Sequence, residues 1–451
     1  MTVKSFQDAL RPTAVVAELT RAVPEFADGG LALLGCRISR IRSVPGQDVW
    51  TAVYELDVRN ADNGRAQTLV AKGMLTPPGL ALPDQVDTVP FGSAGWSLAV
   101  PSLRLHLAAV ANDDALPGLD VITDPVQGRR LLGECMRAGG ILRPGADVTA
   151  YVPSVVTHKP GVRATVLCQL EYDDRGTTAP VAVVVKVHHD DQGERAFQAM
   201  RGLSDSSGRQ TALAQPIAYL PALRLSIQEY IEHRYSFKEL FYSQFGGDTQ
   251  TWDELLDATR ATAAGLAGLH RSGYTGGESV RWDQELATLR AKQDNLTTVM
   301  PTLRRIGSVP DRLASAAATI AADPLAPAHH SFRPAQVLLT DKGVAFIDFD
   351  KFCRAEPASD IALFTAKLQH MAVNKVTTQA LRLSHDAKLA QLRTAFLEEY
   401  RRHTPVTEGR VALWEALELT SLVLSAAKKV NETWVDSCHR MLEEHLAARG
   451  W

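Results

Sequence analysis

The stretch Ala328–Asp360, AHHSFRPAQVLLTDKGVAFIDFDKFCRAEPASD, constrains the fold more than any other part of the chain. It predicts a polar loop followed by two short strands, Val337–Thr340 and Val344–Phe349. Both are β-branched or aromatic runs bounded by turn residues, which is typical of strands. The second strand ends with the carboxylates of Asp348 and Asp350. The sequence therefore predicts a hairpin that delivers acidic side chains beside a polar loop.

These residues resemble those of kinase-like phosphotransferases. The loop His329–Gln336 (HHSFRPAQ) is similar in spacing to the kinase loop H-R-D-L-K-P-E-N. It is closer to the H-G-D-x-H-x-x-N/Q loop of the superfamily of aminoglycoside phosphotransferases, choline kinases and maltokinases. Ile347–Phe349 resembles the metal-binding I-D-F of those families, and Pro357–Asp360 resembles their D-P-A-x-D segment. The chain departs from the pattern at Ser331, where the families have a catalytic Asp.

The resemblance implies an α+β, two-lobed protein-kinase-like fold with an additional N-terminal α+β cap domain. Residues 1–145 are assigned to the cap, since maltokinases carry one of similar size. Residues 146–235 are assigned to a kinase-like N-lobe and residues 236–451 to a mostly helical C-lobe. Pro77–Pro90 predicts a loop, and Asn60–Gly64 and Asp173–Gly176 predict turns. No internal repeat and no low-complexity tract is recognised.

Composition and charge exclude several classes of protein. The chain has 451 residues, of which 45% are hydrophobic and 22% are charged, as in ordinary soluble globular proteins. A formal net charge of -3 gives no reason to expect nucleic acid or an anionic membrane surface as a partner. The N-terminus lacks an apolar signal region, so a cytoplasmic protein is expected. The scattered cysteines are expected to be free thiols in a reducing cytosol: Cys36, Cys135, Cys168, Cys353 and Cys438.

Two lysines in strand-like runs are candidates for the residue that binds the ATP phosphates. Lys72 lies far upstream of the loop, whereas Lys186 is the single cation in the apolar run of the strand Pro180–His188. A cation in a buried strand needs a partner or a ligand. Lys186 is therefore predicted to bind the α- and β-phosphates. Glu194, near the start of the next helix, is predicted to pair with Lys186 as in kinases; alternatively, it only favours a helix N-terminus.

Further candidates follow from the resemblance. Leu223–Ile231 is interpreted as the hinge strand, at whose end Glu229 and Tyr230 would present backbone groups to adenine; the alternative is a plain amphipathic strand and turn. His270 in L-x-x-L-H is expected to be structural. The cluster His188–Asp191 is interpreted as a solvated loop, not as a metal site.

The chemistry implied is transfer of the ATP γ-phosphate to a hydroxyl of a small molecule, sugar or peptide, with Mg²⁺ as cofactor. Asp348 is the first candidate metal ligand. Gln336 offers an amide oxygen, as in maltokinases, and Asp350 is either a further ligand or a solvated turn carboxylate. Arg333 is expected to bind the transferring phosphate as a permanent cation. His329 and Asp360 are expected to hold the loop in shape by hydrogen bonding.

Ser331 leaves the function open. A serine hydroxyl is no base near neutral pH, and loss of a general base typically costs about 10²–10⁴-fold in rate. The transition state of phosphoryl transfer is largely dissociative, so a base is not an absolute requirement. One interpretation is a phosphotransferase with a compromised or relocated base. Another is a pseudokinase that binds nucleotide or a protein partner, and a third keeps the fold but transfers nucleotidyl groups. The retention of Lys186, Arg333, Gln336 and Asp348 favours the enzyme.

Overall fold

A computed structural model describes residues 4–43, 49–61, 63–76, 91, 96–109, 115–143, 145–173, 179–206, 212–245, 251–373 and 379–451. The predicted loop 77–90 lies outside the described residues, as do residue 62 and residues 174–176 of the two predicted turns. The chain divides into two compact units. The first comprises Met1–Asn112, Leu286–Ala314 and Leu419–Trp451, and the second comprises Asp113–Glu285 and Ser315–Glu418.

A five-stranded antiparallel sheet forms the centre of the first unit, with strand order β1-β2-β3-β5-β4. Alternate residues of β2 are buried, which is the period of two expected for a strand with one face in a core. The helices before the sheet are α1 (Lys4–Ala9), α2 (Pro12–Ala22) and α3 (Pro24–Ala27). The strands are β1 (Leu31–Ser43), β2 (Trp50–Asn60), β3 (Ala66–Leu75), β4 (Ser97–Val100) and β5 (Leu105–Ala109).

The second unit contains another five-stranded antiparallel sheet, with strand order β6-β7-β8-β11-β10. Its helices are α4 (Leu119–Thr123), α5 (Pro125–Ala138) and α6 (Gln192–Ser206). Its strands are β6 (Val148–Lys159), β7 (Arg163–Tyr172), β8 (Ala182–His188), β10 (Pro216–Leu220) and β11 (Leu225–Glu229). The valines of β8, Val183, Val185 and Val187, are buried in one core with Leu132 and Met136 of α5. Because side chains alternate along a strand, Lys186 points to the opposite face of the sheet.

The two sheets have the same strand order, a likeness that the sequence analysis did not predict. In each, a hairpin turns through a short 3₁₀ helix, Pro101–Leu103 or Pro221–Leu223, followed by an arginine in the left-handed region (φ 50° at Arg104 and 46° at Arg224). The likeness is hidden in the sequence because little beyond the corners PSLRL and PALRL is shared. Strand pairing depends on the alternation of side chains more than on their identity.

The remainder of the second unit is mostly helical and holds the stretch Ala328–Asp360. A four-stranded sheet has the order β12-β14-β15-β9, and β13 pairs with β16. The strands are β9 (Ala212–Leu213), β12 (Tyr235–Ser236), β13 (Ala326–Ala328), β14 (Val337–Thr340), β15 (Gly343–Phe346) and β16 (Cys353–Ala355). The helices in this part of the second unit are α7 (Phe237–Phe245), α8 (Trp252–His270), α11 (Pro357–Val373) and α12 (Gln379–His403). The other helices of the chain are α9 (Trp282–Val299), α10 (Val309–Ala317), α13 (Glu408–Lys428) and α14 (Glu432–Ala447).

The predicted α+β class is confirmed by this arrangement of sheets and helices. The strand predicted at Val344–Phe349 ends earlier, at Phe346, because Asp348 adopts a left-handed conformation (φ 73°) that a strand cannot continue through. Among the described helices, none is long and apolar enough to cross a membrane.

Candidate active site

The predicted catalytic loop, residues 329–336, connects β13 to β14 and is anchored by Phe332. The Phe332 ring is fully buried and lies 4.8 Å from the ring centroid of Phe346 and 5.4 Å from that of Phe364. Since Phe346 belongs to β15 and Phe364 to α11, this one apolar side chain ties the loop to both elements. The polar residues on either side of Phe332 are positioned by that anchor.

Asp360, in the first turn of α11, fixes the beginning of the loop. Its carboxylate accepts hydrogen bonds from the backbone N–H groups of His329 (2.7 Å) and His330 (2.7 Å) and from His270 Nε2 (3.1 Å). Burial alone would raise the pKa of Asp360, but the hydrogen bond and charge of His270 outweigh it and hold that pKa below its usual range. On its other side, His270 Nδ1 contacts the Tyr400 hydroxyl at 2.6 Å.

Four charged side chains meet at the mouth of this loop, and we call them the charge cluster: Arg163, Lys186, Asp348 and Asp350. Lys186 Nζ lies 2.5 Å from Asp348 Oδ1 and 2.7 Å from Asp350 Oδ1. Arg163 NH1 lies 2.5 Å from Asp350 Oδ2 and 3.3 Å from Asp348 Oδ1. The cluster therefore joins strands β7 and β8 to the segment that follows β15.

The charged forms of Asp348 and Lys186 stabilise each other. Burial opposes the charge of Asp348, but Lys186 and Arg163 more than compensate and hold the pKa of Asp348 far below its usual range. Burial likewise opposes the charge of Lys186, and Asp350 and Asp348 outweigh it and raise the pKa of Lys186. The cluster places two cations and two carboxylates in a mostly buried site. Removing any one of the four side chains would leave a buried charge without its partner.

Arg163 is a site residue that sequence reasoning missed. It pairs in register with His188 of β8, while its neighbour Thr165 pairs with Lys186. Side chains at Arg163 and Thr165 therefore share the sheet face of Lys186, opposite the face that buries Ala164 and the rest of the apolar core. The alternation of side chains along β7 could have predicted this residue. A long cationic side chain on the sheet face of Lys186 is expected to lie close to it.

The carboxamide of Gln336 connects the loop to the charge cluster. Its Nε2 donates to Asp348 Oδ2 (2.9 Å), and its Oε1 accepts from the backbone N–H of Arg333 (3.0 Å). Asp348, Asp350 and Gln336 together offer carboxylate and amide oxygens, the ligands that Mg²⁺ prefers. Within the described ranges, no group of three or more His, Cys, Asp or Glu side chains could hold a metal ion. The donor set here is two carboxylates and one amide.

Arg333 lies at the edge of the cluster, half exposed. Its NH2 is 3.7 Å from Asp348 Oδ2, and its Nε donates to the carbonyl oxygen of Ser331 (3.2 Å). The guanidinium is thus held beside the loop with most of its donors free to meet an anion.

Ser331 occupies the position at which the resembling families carry their catalytic Asp. Its Oγ lies 3.2 Å from His329 Nδ1, 3.4 Å from the carbonyl oxygen of Asp348 and 3.5 Å from Gln336 Nε2. Ser331 is partly buried.

His330 adopts a left-handed backbone conformation (φ 55°) at the position where the H-G-D pattern has glycine. Its Nε2 lies 3.6 Å from Glu285 Oε1. Burial alone would lower the pKa of His330, but hydrogen bonds to Cys353 and Glu285 raise it to about 10. His330 is therefore an imidazolium at neutral pH, in contrast to its neighbour His329.

Three predicted nucleotide-binding residues lie apart from the cluster. Glu194 is exposed on α6, and in the part of the chain that the structure describes Lys186 pairs with Asp348 and Asp350 instead. The N–H groups of Glu229 and Tyr230 already donate to the carbonyl oxygens of Gln215 and Ala182, so any backbone donor to adenine would come from residues further along. Lys72 is exposed on β3 of the first unit.

Comparison with known proteins supports the fold. No protein-family model matches the chain, and no curated protein matches it significantly. A glucosamine kinase in complex with glucosamine, ADP and inorganic phosphate is similar, with a TM-score of 0.52 and 16% identity over 96% of this chain and 99% of that one. Another crystal form of glucosamine kinase, form A, gives a TM-score of 0.51 and 16% identity over 96% and 97% of the two chains.

A choline kinase from Cryptosporidium parvum is similar over 71% of this chain and 97% of that one, with a TM-score of 0.48 and 11% identity. At these identities the likeness concerns the fold alone. The glucosamine kinase structures confirm the predicted two-lobed, protein-kinase-like α+β fold.

Proposed function

We propose that the chain is an ATP- and Mg²⁺-dependent phosphotransferase that moves the γ-phosphate of ATP to a hydroxyl group of a small molecule. The observation that carries this proposal is the charge cluster, in which Lys186 and Arg163 meet Asp348 and Asp350 beside the loop of Ser331. Phosphoryl transfer asks a protein mainly for positioned cations and metal-binding oxygens around the phosphates. The cluster supplies both.

The residues present fit a magnesium ion. Asp348 and Asp350 would hold it, and the low pKa of Asp348 keeps that carboxylate ionised. The amide oxygen of Gln336 would be a further ligand only with the carboxamide turned over, because here its Oε1 accepts from the backbone N–H of Arg333 and its Nε2 donates to Asp348. When bound, the ion neutralises charge on the phosphates. Lys186 and Arg163 are cations that bind oxygen anions, and the phosphate chain of a nucleotide presents oxygens of the same charge. Arg333, half exposed beside Ser331, is placed to bind the phosphate being transferred.

Nucleotide recognition is proposed to follow the hinge pattern with one adjustment. Because the N–H groups of Glu229, Tyr230 and Arg234 are engaged, donors to adenine are assigned to the backbone of residues 231–233. The likeness to a glucosamine kinase bound to ADP supports an adenine nucleotide as the phosphate donor. It also makes an amino sugar the first acceptor to test.

A second candidate, a pseudokinase that binds nucleotide or a protein partner, is favoured by one observation. Ser331 stands where the families have their catalytic carboxylate. Among the described residues, no carboxylate forms a hydrogen bond with the Ser331 hydroxyl. This candidate keeps Lys186 and Asp348 as nucleotide-binding groups and predicts no turnover. The third interpretation of the sequence, nucleotidyl transfer, would differ from both candidates by releasing pyrophosphate from ATP.

The test begins with calorimetric titration of Mg·ADP and Mg·ATP, followed by an ATP-consumption assay against a library of hydroxyl compounds that starts with glucosamine. Asp348→Asn serves as the blank. Asp341→Asn is the matched control, because Asp341 lies in the turn of the same hairpin with 93% of its side chain exposed. Turnover in the wild type and control but not in the blank supports the enzyme. Nucleotide binding without turnover supports the pseudokinase, and no binding of either nucleotide contradicts both.

A further inference from the structure

The hydrogen bonds of His329 fix which of its nitrogens carries the proton. His329 Nε2 lies 2.9 Å from the carbonyl oxygen of Ile347. A carbonyl oxygen only accepts, so Nε2 must be the N–H donor. In a neutral imidazole the other nitrogen is then unprotonated. Burial lowers the pKa of His329, so the ring is neutral at pH 7 and Nδ1 presents a lone pair.

That lone pair faces Ser331. The distance from Ser331 Oγ to His329 Nδ1 is 3.2 Å, and because Nδ1 has no hydrogen, the serine hydroxyl donates. The carbonyl oxygen of Asp348, at 3.4 Å, is a more distant second acceptor for the same proton. Gln336 Nε2 approaches Oγ at 3.5 Å while donating to Asp348 Oδ2 at 2.9 Å. The oxygen of Ser331 thus keeps a lone pair for an incoming donor.

The imidazole of His329 is fully buried and packs against two aromatic rings. Its ring centroid lies 4.6 Å from that of Phe349 and 5.6 Å from that of Phe332. Its backbone N–H is bound by Asp360. A hydroxyl donating to an imidazole, which is itself oriented by a third group, is the arrangement used to activate hydroxyl nucleophiles.

We propose that His329 is the base of the phosphotransfer reaction and acts through Ser331, which relays the proton. This inference rests on the proposed function and deepens it. The acceptor hydroxyl donates to Ser331 Oγ while Ser331 donates to His329 Nδ1. As the acceptor oxygen forms its bond to the γ-phosphorus, the bond from that phosphorus to the β,γ-bridging oxygen breaks and ADP leaves with that electron pair. The acceptor proton passes to Ser331, and the serine proton passes to Nδ1.

The imidazolium formed has a donor on each nitrogen, one to Ile347 and one to Ser331. Its charge is balanced by the Asp360 carboxylate, whose Oδ2 lies 2.7 Å from the His329 backbone nitrogen. In a dissociative transition state the acceptor oxygen loses its proton late, so a weak base in this position suffices. After the product leaves, the proton returns through Ser331 to solvent. Ser331 touches the reacting oxygen, and His329 is a positioning residue that acts through it.

The test uses the full chain, ATP, and either glucosamine or water as acceptor, with nucleotide affinity measured by calorimetry for each variant. His329→Gln keeps an N–H for the Ile347 carbonyl but has no basic nitrogen. Ser331→Ala removes the relay, and Ser331→Thr keeps a hydroxyl. We expect His329→Gln and Ser331→Ala each to lower kcat by about 10²-fold or more, with KM for ATP within about threefold of wild type. The double variant should be no slower than either single variant, and Ser331→Thr should recover much of the rate.

Ser331→Asp provides the decisive control, because a carboxylate there takes the proton directly. In that background His329→Gln should cost less than about fivefold, whereas a merely structural histidine would cost the same in both backgrounds. Equal costs, or a wild-type rate in His329→Gln, would overturn the proposal. Should His329→Gln fail to bind nucleotide, the Ser331 series decides, since equal rates for Ser331→Ala and Ser331→Thr also overturn it.

Three further outcomes are distinguished. Phosphate found on Ser331 by mass spectrometry after incubation with Mg·ATP alone would make the serine a nucleophile and would overturn the relay. Absence of turnover in the wild type refutes the proposed function itself, and the relay with it, before any variant is compared. Wild-type turnover that is insensitive to both His329→Gln and Ser331→Ala refutes the relay only.

Discussion

Replacing Asp360 with asparagine tests whether one buried carboxylate holds the catalytic loop. Asp360 Oδ2 accepts from His329 N and His270 Nε2, and Oδ1 accepts from His330 N. Asparagine has the same shape but only one acceptor oxygen. In its better orientation that oxygen replaces Oδ2, and the NH₂ group then faces the N–H of His330. Two buried donors are left without acceptors.

The magnitude follows from those two groups. A buried, unsatisfied polar group costs about 1–3 kcal/mol, so Asp360→Asn should lower the free energy of unfolding by about 2–6 kcal/mol. A typical domain has only about 5–15 kcal/mol of stability, so the loss is large. The pKa of Asp360 lies below its usual range when folded, so its contribution is present above the unfolded value of about 3.9 and is lost as the pH falls through the folded value. The difference between wild type and variant should therefore shrink in acid.

Two measurements check this prediction. Urea denaturation at pH 7 gives the global loss, and hydrogen exchange with mass spectrometry reports the amides of His329 and His330. A loss of 2–6 kcal/mol corresponds to exchange about 30-fold to about 10⁴-fold faster. The control is Asp257→Asn, whose exposed carboxylate pairs with Arg260 on one helix and should matter by less than about 0.5 kcal/mol. A loss below about 1 kcal/mol with unchanged exchange would show that Asp360 does not hold the loop.

Further predictions concern the charge cluster and its surroundings. Lys186→Ala should abolish ATP binding in calorimetry while Lys72→Ala leaves it nearly intact; the opposite result would place the nucleotide site in the first unit. Arg163→Met should weaken Mg·ATP binding by about tenfold or more, because the phosphates lose one of the two cations proposed to bind them, and Arg163→Lys should recover part of the affinity; equal affinities for both variants would show that the charge of Arg163 is not needed. His330 contributes stability that is fully present below its unfolded pKa of about 6.5 and is lost as the pH rises through about 10. The Tm of the wild type should thus fall more between pH 6 and pH 10 than that of His330→Gln, and parallel curves would contradict the assignment.

The sequence was most informative where local chemistry decides structure. The bounds of β14 (Val337–Thr340) agree with the prediction, because it is an apolar and β-branched run between turn residues. The fold class was predicted from strand patterns of this kind together with the resemblance of the predicted catalytic loop to that of kinase-like phosphotransferases. The contact between Gln336 and Asp348 could also be predicted. Gln336 lies twelve positions before Asp348, and the two residues flank the same hairpin.

Contacts across long stretches of chain could not be predicted in this way. Arg163 on β7 and Asp350, in the segment after β15, are 187 positions apart. Only the tertiary fold brings Arg163 NH1 to 2.5 Å from Asp350 Oδ2. The expected partner of Lys186 was Glu194, chosen by analogy, whereas in the structure the carboxylates of Asp348 and Asp350 reach Lys186. Ion pairing depends on which charges share a buried space, and a one-dimensional pattern does not record that.

The repeated strand order of the two sheets gives the molecule an internal comparison. Trp50 pairs with Leu75 in the first sheet as Ala164 pairs with Val187 in the second, and both Leu75 and Val187 face the residue after the left-handed arginine. On this alignment Met74 stands where the second sheet has Lys186. An uncharged thioether therefore occupies, in the first sheet, the position that holds a cation in the second. The same order of strands thus forms with and without a cation at this position, so the charge of Lys186 is not needed to build the sheet around it.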